Sequence, residues 1–132
     1  MTDFLEIDDV LHIADRVIAD FRVTDHGLLA SAVARPKATV SGRDAYPGLD
    51  GKAAALLISL VRNHALLDGN KRLGWSAAVV FCQLNNRDLR PPDDDAAFEL
   101  VMSIADGRLV EVVKVAGILA EWLVTLVEGV AL

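Results

Sequence analysis

Cysteine is all but absent from this chain, since Cys82 stands alone among 132 residues. No internal disulfide can form, and its place in an apolar helical run marks Cys82 as a buried small hydrophobe. Long uninterrupted apolar runs are missing as well. The stretch from Leu73 to Leu84 is too short to cross a bilayer, and the apolar C-terminal region is broken by Glu111, Lys114, Glu121 and Glu128. No membrane span is therefore expected. At the N-terminus, Asp3, Glu6, Asp8 and Asp9 occupy the places where a signal peptide carries basic and apolar residues. The expected location is the bacterial cytoplasm.

Positive charge is also scarce. Thirteen Lys and Arg stand against nineteen Asp and Glu, a net charge of −6, which excludes broad, salt-dependent binding to nucleic acid because a phosphate backbone would be repelled. A Gly-x-x-x-x-Gly-Lys-Ser/Thr loop is absent, as are the motifs of ordinary protein kinases, so any ATP chemistry must run through another element. His12 and His26 have no partner at metal-ligand spacing, and zinc is not indicated. With no repeat and no low-complexity linker, residues 1–132 read as a single domain.

What is present is concentrated in nine residues, His64-Ala65-Leu66-Leu67-Asp68-Gly69-Asn70-Lys71-Arg72. An apolar helical run, Ala53 to Val61, leads up to them, and another, Leu73 to Leu84, begins just after. The segment is thus expected to form a turn between two helices. At such a turn the second helix offers unpaired N–H groups and the positive end of its dipole to an anion. Gly69 takes positive φ cheaply and lets a phosphate approach the backbone. Lys71 and Arg72 add full charges, Asp68 suits a magnesium ion shared with phosphates, and His64 is of the residue type that most often serves as a general base. Two cations in the first turn of a helix oppose the macrodipole, at about 0.3 to 1 kcal/mol each, unless an anion is bound.

Elsewhere the spacing is helical almost throughout, and an all-α bundle of about six helices is expected. Val10, Leu11, Ala14, Val17, Ile18 and Phe21 mark a first helix that starts near Asp8 or Asp9. A second follows Thr24 or Asp25 and ends before Pro36. Residues 37–48 carry turn formers and two β-branched residues but no helical period. Asn85-Asn86-Arg87-Asp88 breaks the pattern, Asp93 to Asp95 suit the N-terminus of a helix over Ala96 to Ile104, and Gly107 ends it. A last helix is expected from about Val110 to Val127, with Trp122 in the core beside Ile118, Leu119 and Leu126. Apolar residues make up 53% of the chain and the mean hydropathy is +0.37, enough to suggest an apolar face that a partner covers.

The nine-residue segment resembles the active loop of the Fic/Doc family, His-x-Phe-x-Asp/Glu-Gly-Asn-Gly-Arg in Fic enzymes and ending Asn-Lys-Arg in the Doc, or death-on-curing, toxin branch. His64, Asp68, Asn70, Lys71 and Arg72 fall in its polar positions. Gly27 to Pro36 and Tyr46 to Leu57 are similar to further Doc segments, so the likeness spans roughly residues 5 to 127. Leu66 replaces the loop phenylalanine, Trp75 stands where Fic enzymes carry a further arginine, and Ser76 where some Doc proteins have asparagine.

The resemblance implies a Fic/Doc-type helical fold with a short flap, which a β-hairpin could form, before the third helix. It implies a toxin that phosphorylates a serine or threonine on a protein, with ATP and Mg2+ as cofactors and elongation factor Tu as the substrate. His64, Lys71 and Arg72 would be catalytic, Gly69, Asn70, Lys71 and Arg72 would bind the nucleotide, and Asp68 the metal. A Phd-like antitoxin would be the partner, with neither nucleic acid nor membrane engaged. The alternatives it leaves open are Fic-type AMP transfer and a catalytically idle antitoxin-binding module. Thr125 to Glu128-Gly129 resembles the self-inhibitory helix of some Fic proteins, but its spacing is one residue short.

Overall fold

A computed structural model of the chain describes residues 1–126. Among these residues the helical spacing becomes six α-helices: α1 Ile7–Val17, α2 His26–Ala34, α3 Leu49–Arg62, α4 Asn70–Leu84, α5 Asp94–Ala105 and α6 Val112–Trp122. The expected all-α class holds. The organising element is α3, in which every residue from Lys52 to Val61 is buried. A helix apolar on all sides must be surrounded, and α2, α4, α5 and α6 all pack against it. Gly74 brings α4 especially near, because a Cβ there would lie 2.6 Å from Val61 Cγ2 and 3.4 Å from the Leu57 carbonyl oxygen.

Short polar residues set the helix starts. Asp25 accepts a hydrogen bond from the Leu28 N–H at 2.9 Å and Asp93 accepts one from Ala96 at 2.7 Å, each satisfying an amide left open at a helix N-terminus. Glu6 and Asp9 form a capping box at the start of α1, so Asp8 and Asp9 lie inside its first turn. That helix stops at Val17, where the apolar spacing predicted continuation through Phe21. Asp20 takes a left-handed φ of 51°, and Ile18 and Phe21 pack from the turn that follows. Between α2 and α3 a 3-10 turn over Arg35–Lys37 buries Pro36. It leads to a hairpin of β1 Thr39–Val40 and β2 Arg43–Asp44, with Thr39 opposite Asp44 and Val40 opposite Arg43. Ser41 and Gly42 both have positive φ at its tip, the backbone that a two-residue hairpin turn requires.

Two expectations fail. The last helix was expected to run to Val127, but α6 ends at Trp122 and the chain becomes strand β4, Leu123–Thr125. β4 pairs antiparallel with β3, Arg87–Leu89, in the segment expected to be only a break. Asn86, at a φ of 61°, turns the chain so that β3 passes the end of α6. There the Arg90 N–H donates to the Trp122 carbonyl at 2.8 Å and the Leu126 N–H to the Asn86 carbonyl at 2.9 Å. Leu126 therefore lies beyond the helix, while Trp122 is buried as expected. Val127, Glu128 and Gly129 lie outside the described residues.

Candidate active site

The segment from Asn63 to Gly69, which joins α3 to α4, is held from two sides. From the α1–α2 connection, Val23 forms an isolated antiparallel bridge with Leu66. The Ala65 carbonyl accepts from the N–H groups of Thr24 (2.8 Å) and Asp25 (3.2 Å) and from Thr24 Oγ1 (3.2 Å), while the Leu67 N–H donates to the Arg22 carbonyl at 2.9 Å. From α4, Asn70 Oδ1 accepts from the Leu66 N–H and Asn70 Nδ2 donates to the Leu66 carbonyl, both at 3.0 Å. Ala65 and Leu66 are buried, so Leu66 serves as an apolar plug without the aromatic ring.

His64 precedes this anchored pair in a left-handed conformation, φ 54°. A non-glycine residue held there stores on the order of 1 kcal/mol of backbone strain and persists only where its surroundings impose it. Here the Asn63 side chain, donating to the Leu28 carbonyl at 3.2 Å, and the Ala65 bonds fix both flanks. The imidazole is exposed and is open to an incoming hydroxyl.

Gly69 is the N-cap of α4, at φ 89° with no side chain to satisfy the first-turn amides. The helix begins at Asn70, three residues earlier than the apolar run suggested, so Lys71 and Arg72 lie within its first turn. That turn carries no acid. Arg72 Nη1 donates to the Val17 carbonyl at 3.3 Å, and Lys71 is exposed with no partner among the described residues. The positive dipole end and two cations thus converge in a turn where neither cation forms an ion pair among the described residues, an arrangement that favours a bound anion.

Beside that turn is a cavity of about 520 Å³, of the size that takes a nucleotide-scale ligand. Asp68, Gly69, Lys71, Arg72 and Trp75 line one wall and Asp94, Ala97, Phe98, Val101 and Met102 of α5 line the other, with Ile18 completing it. Of the residues singled out from the sequence, the fold brings Asp68, Gly69, Lys71 and Arg72 together on this cavity. His64 stands outside its lining, and the Asn70 amide is engaged with Leu66. Asp68 Oδ1 accepts from the Gly69 N–H at 2.8 Å, which leaves Oδ2 for other ligands. The described residues hold no cluster of three or more His, Cys, Asp or Glu that could cage a metal. A single free carboxylate oxygen fits magnesium, which commonly arrives with phosphates and needs only one or two carboxylates from the protein.

The sequence did not reveal the opposing wall or the strap from Arg22 to Asp25. Phe98 is 66% exposed, an oddity that becomes meaningful only when α5 faces α4. Trp75 packs edge-to-face against Trp122, ring centroids 6.2 Å apart, and so ties the cavity to the end of α6.

The family model described as "Fic/DOC family" matches residues 4–82, a span that includes the whole anchored loop and nearly all of α4. Toxin Doc of Mycolicibacterium smegmatis (strain ATCC 700084 / mc(2)155) is 50% identical over 107 residues, covering 80% of this chain and 82% of that protein. With the left-handed histidine, the glycine cap and the paired cations all inside the matched span, the chain belongs to the Fic/DOC family.

Proposed function

We propose that the chain is the toxin of a bacterial toxin–antitoxin pair, a Doc-like kinase that transfers the γ-phosphoryl group of ATP to a serine or threonine hydroxyl of a protein. Elongation factor Tu is the proposed target and arrest of translation the result. The observation that carries this reading is the pair Lys71 and Arg72 at the uncapped N-terminus of α4, both on the cavity wall. Lysine in place of a second glycine crowds an α-phosphate over the turn but suits terminal phosphates, which carry more charge. The relative's name, Toxin Doc, supports the toxin role. A Phd-like antitoxin in the same cytoplasm is the proposed partner, and the exposed Phe98 at the cavity mouth is an apolar contact for it.

In this reading the terminal phosphates sit against Gly69, Lys71 and Arg72, and a hydroxyl of the target approaches from the side of His64. His64 takes the hydroxyl proton as the oxygen bonds to the γ-phosphorus and the bond to the β,γ-bridging oxygen breaks, releasing ADP. Asp68 would hold a magnesium ion through its Oδ2, and the ion would supply charge neutralisation. The first-turn amides and two cations stabilise charge on the transferring group, and most of the rate comes from positioning and electrostatics. Asn70 keeps the loop in shape through Leu66.

The test is transfer of label to elongation factor Tu from ATP labelled at the γ or, separately, the α phosphate, with His64→Ala as control. Label from the γ position alone supports the kinase. Label from the α position replaces it with AMP transfer, and no label from either removes elongation factor Tu as substrate and leaves another protein target or the idle binding module.

A further inference from the structure

Arg62 is the last residue of α3, and only Asn63 separates it from His64. Its Nη1 donates to the Ile104 carbonyl at 2.8 Å and to the Ala105 carbonyl at 3.4 Å. Those are the last two residues of α5, where backbone carbonyls lack the amides of a further turn. The last turn of α5 carries no basic residue of its own, so the end of α3 supplies the cation that the negative end of its dipole favours. The guanidinium packs close over Gly107, where a Cβ would lie 3.4 Å from Nη1. Asp106, the carboxylate of that turn, is taken up by Arg108, whose Nε donates to it at 2.7 Å.

Little else fixes where α5 stands. Its buried residues are Leu100, Val101 and Ile104, and apolar burial of this kind is not directional. Among the described residues, the two bonds from Arg62 are the sole hydrogen bonds between α5 and another helix. The same α5 presents Asp94, Phe98 and Met102 to the cavity, across from Lys71 and Arg72. One side chain therefore joins the far wall of the cavity to the residue that leads into the reactive loop. Arg62 is not itself part of the cavity lining, so its effect on a bound nucleotide passes through α5.

We infer that Arg62 is a positioning residue for the nucleotide: from the end of α3 it sets how far the α5 wall stands from Lys71 and Arg72, and so the width of the cavity that the nucleotide fills. This rests on the proposed transfer from ATP. The acceptor approaches on the side of His64, which stands outside the cavity lining. Loss of Arg62 should therefore raise the KM for ATP and leave that for the acceptor alone.

The experiment compares wild type with Arg62→Met, which keeps the aliphatic stem, and with Arg62→Lys, which keeps the cation but not the planar fork. Arg62 is an exposed residue, so neither substitution opens a void in the core. Amide hydrogen exchange over residues 98–105 should quicken by about tenfold in Arg62→Met while residues 53–61 keep their wild-type rates. The KM for ATP should rise by about fivefold, with turnover at saturating ATP within about twofold of wild type and the KM for elongation factor Tu unchanged. Arg62→Lys should recover part of the loss. Unchanged exchange in α5, an unchanged KM for ATP, or a KM for the acceptor that rises in step with it overturns the inference. Absence of transfer by wild type strikes instead at the proposed kinase. The tether is then decided by the exchange in α5 and by calorimetric affinity for ATP with magnesium, which should fall by about the same fivefold in Arg62→Met.

Discussion

Asn70 closes on both backbone groups of Leu66, accepting from its N–H and donating to its carbonyl at the same 3.0 Å. One side chain thus does for the loop what a neighbouring strand does for a ladder. Asn70→Ala leaves two backbone groups of a residue only 3% exposed without these partners, and the expected cost is about 2 kcal/mol. Urea unfolding should show that loss together with a fall in phosphoryl transfer. Asn70→Asp keeps an acceptor and should lose less stability than Asn70→Ala. Equal losses would separate the clasp from the stability of the loop.

His64 should behave in the opposite manner. Its side chain is exposed and makes no hydrogen bond among the described residues, so His64→Ala should unfold within about 0.5 kcal/mol of wild type. Transfer should fall by about two to four orders of magnitude with the base removed. Retained transfer would assign the proton to another acceptor.

The cation in the acid-free first turn of α4 makes an unusual prediction for Lys71. Without nucleotide, Lys71→Ala should be more stable than wild type by about 0.3 to 1 kcal/mol, because a cation at the positive end of the dipole is gone. With ATP and magnesium, wild type should gain thermal stability and the variant much less. Asp68→Asn should blunt the part of that gain that depends on magnesium. Identical melting gains in all three proteins would place the nucleotide elsewhere.

Burial pushes the Cys82 thiol up from an ordinary 9.0 to about 12, the nearby Arg87 opposing and Asp88 assisting. The folded thiol therefore keeps its proton over a range where the unfolded one releases it. Its contribution to stability is complete below about pH 9 and declines as the pH climbs towards 12. Thiol reagents at pH 8 should not label the native protein but should label it in urea. Above pH 9 the unfolding midpoint of wild type should fall more steeply than that of Cys82→Ala.

Trp75 provides a direct reporter. It lines the cavity and is one of two tryptophans in the chain, the other being Trp122 against which it packs. Nucleotide should alter the intrinsic fluorescence of wild type, and Trp75→Phe should lose that response while Trp122 still reports unfolding. An equal change in Trp75→Phe would place the source of the signal at Trp122.

Much of this was legible because the deciding signals are local. Asp25 and Asp93 cap the helices they precede, Gly107 ends α5 at a φ of 84°, and the loop residues that meet at the cavity lie close in sequence. The failures are of longer range. Leu89 faces Leu123 across a ladder of three residues, too short for an alternating pattern and formed between distant segments whose pairing no propensity foretells. The Arg62 tether left as little trace, since an arginine at the end of a helical run reads as a solvated partner of its own helix until α5 is seen to end against it. The strap from Val23 to Leu66 is a single bridge, and a single bridge has no period.

The cavity draws its two walls from separate stretches of the chain: Asp68 to Trp75 on one side and Asp94 to Met102 on the other. The first lies inside residues 4–82, which the family model matches, and the second past residue 82. The charged wall is tied by Asn70, Arg72 and the α1–α2 strap and has little freedom to vary. Among the described residues no hydrogen bond ties the α5 wall to the loop, so substitutions at Ala97, Phe98 or Met102 should reshape what the cavity admits while leaving the loop intact. In a chain emerging from the ribosome, the loop and its strap are present before that wall has been made.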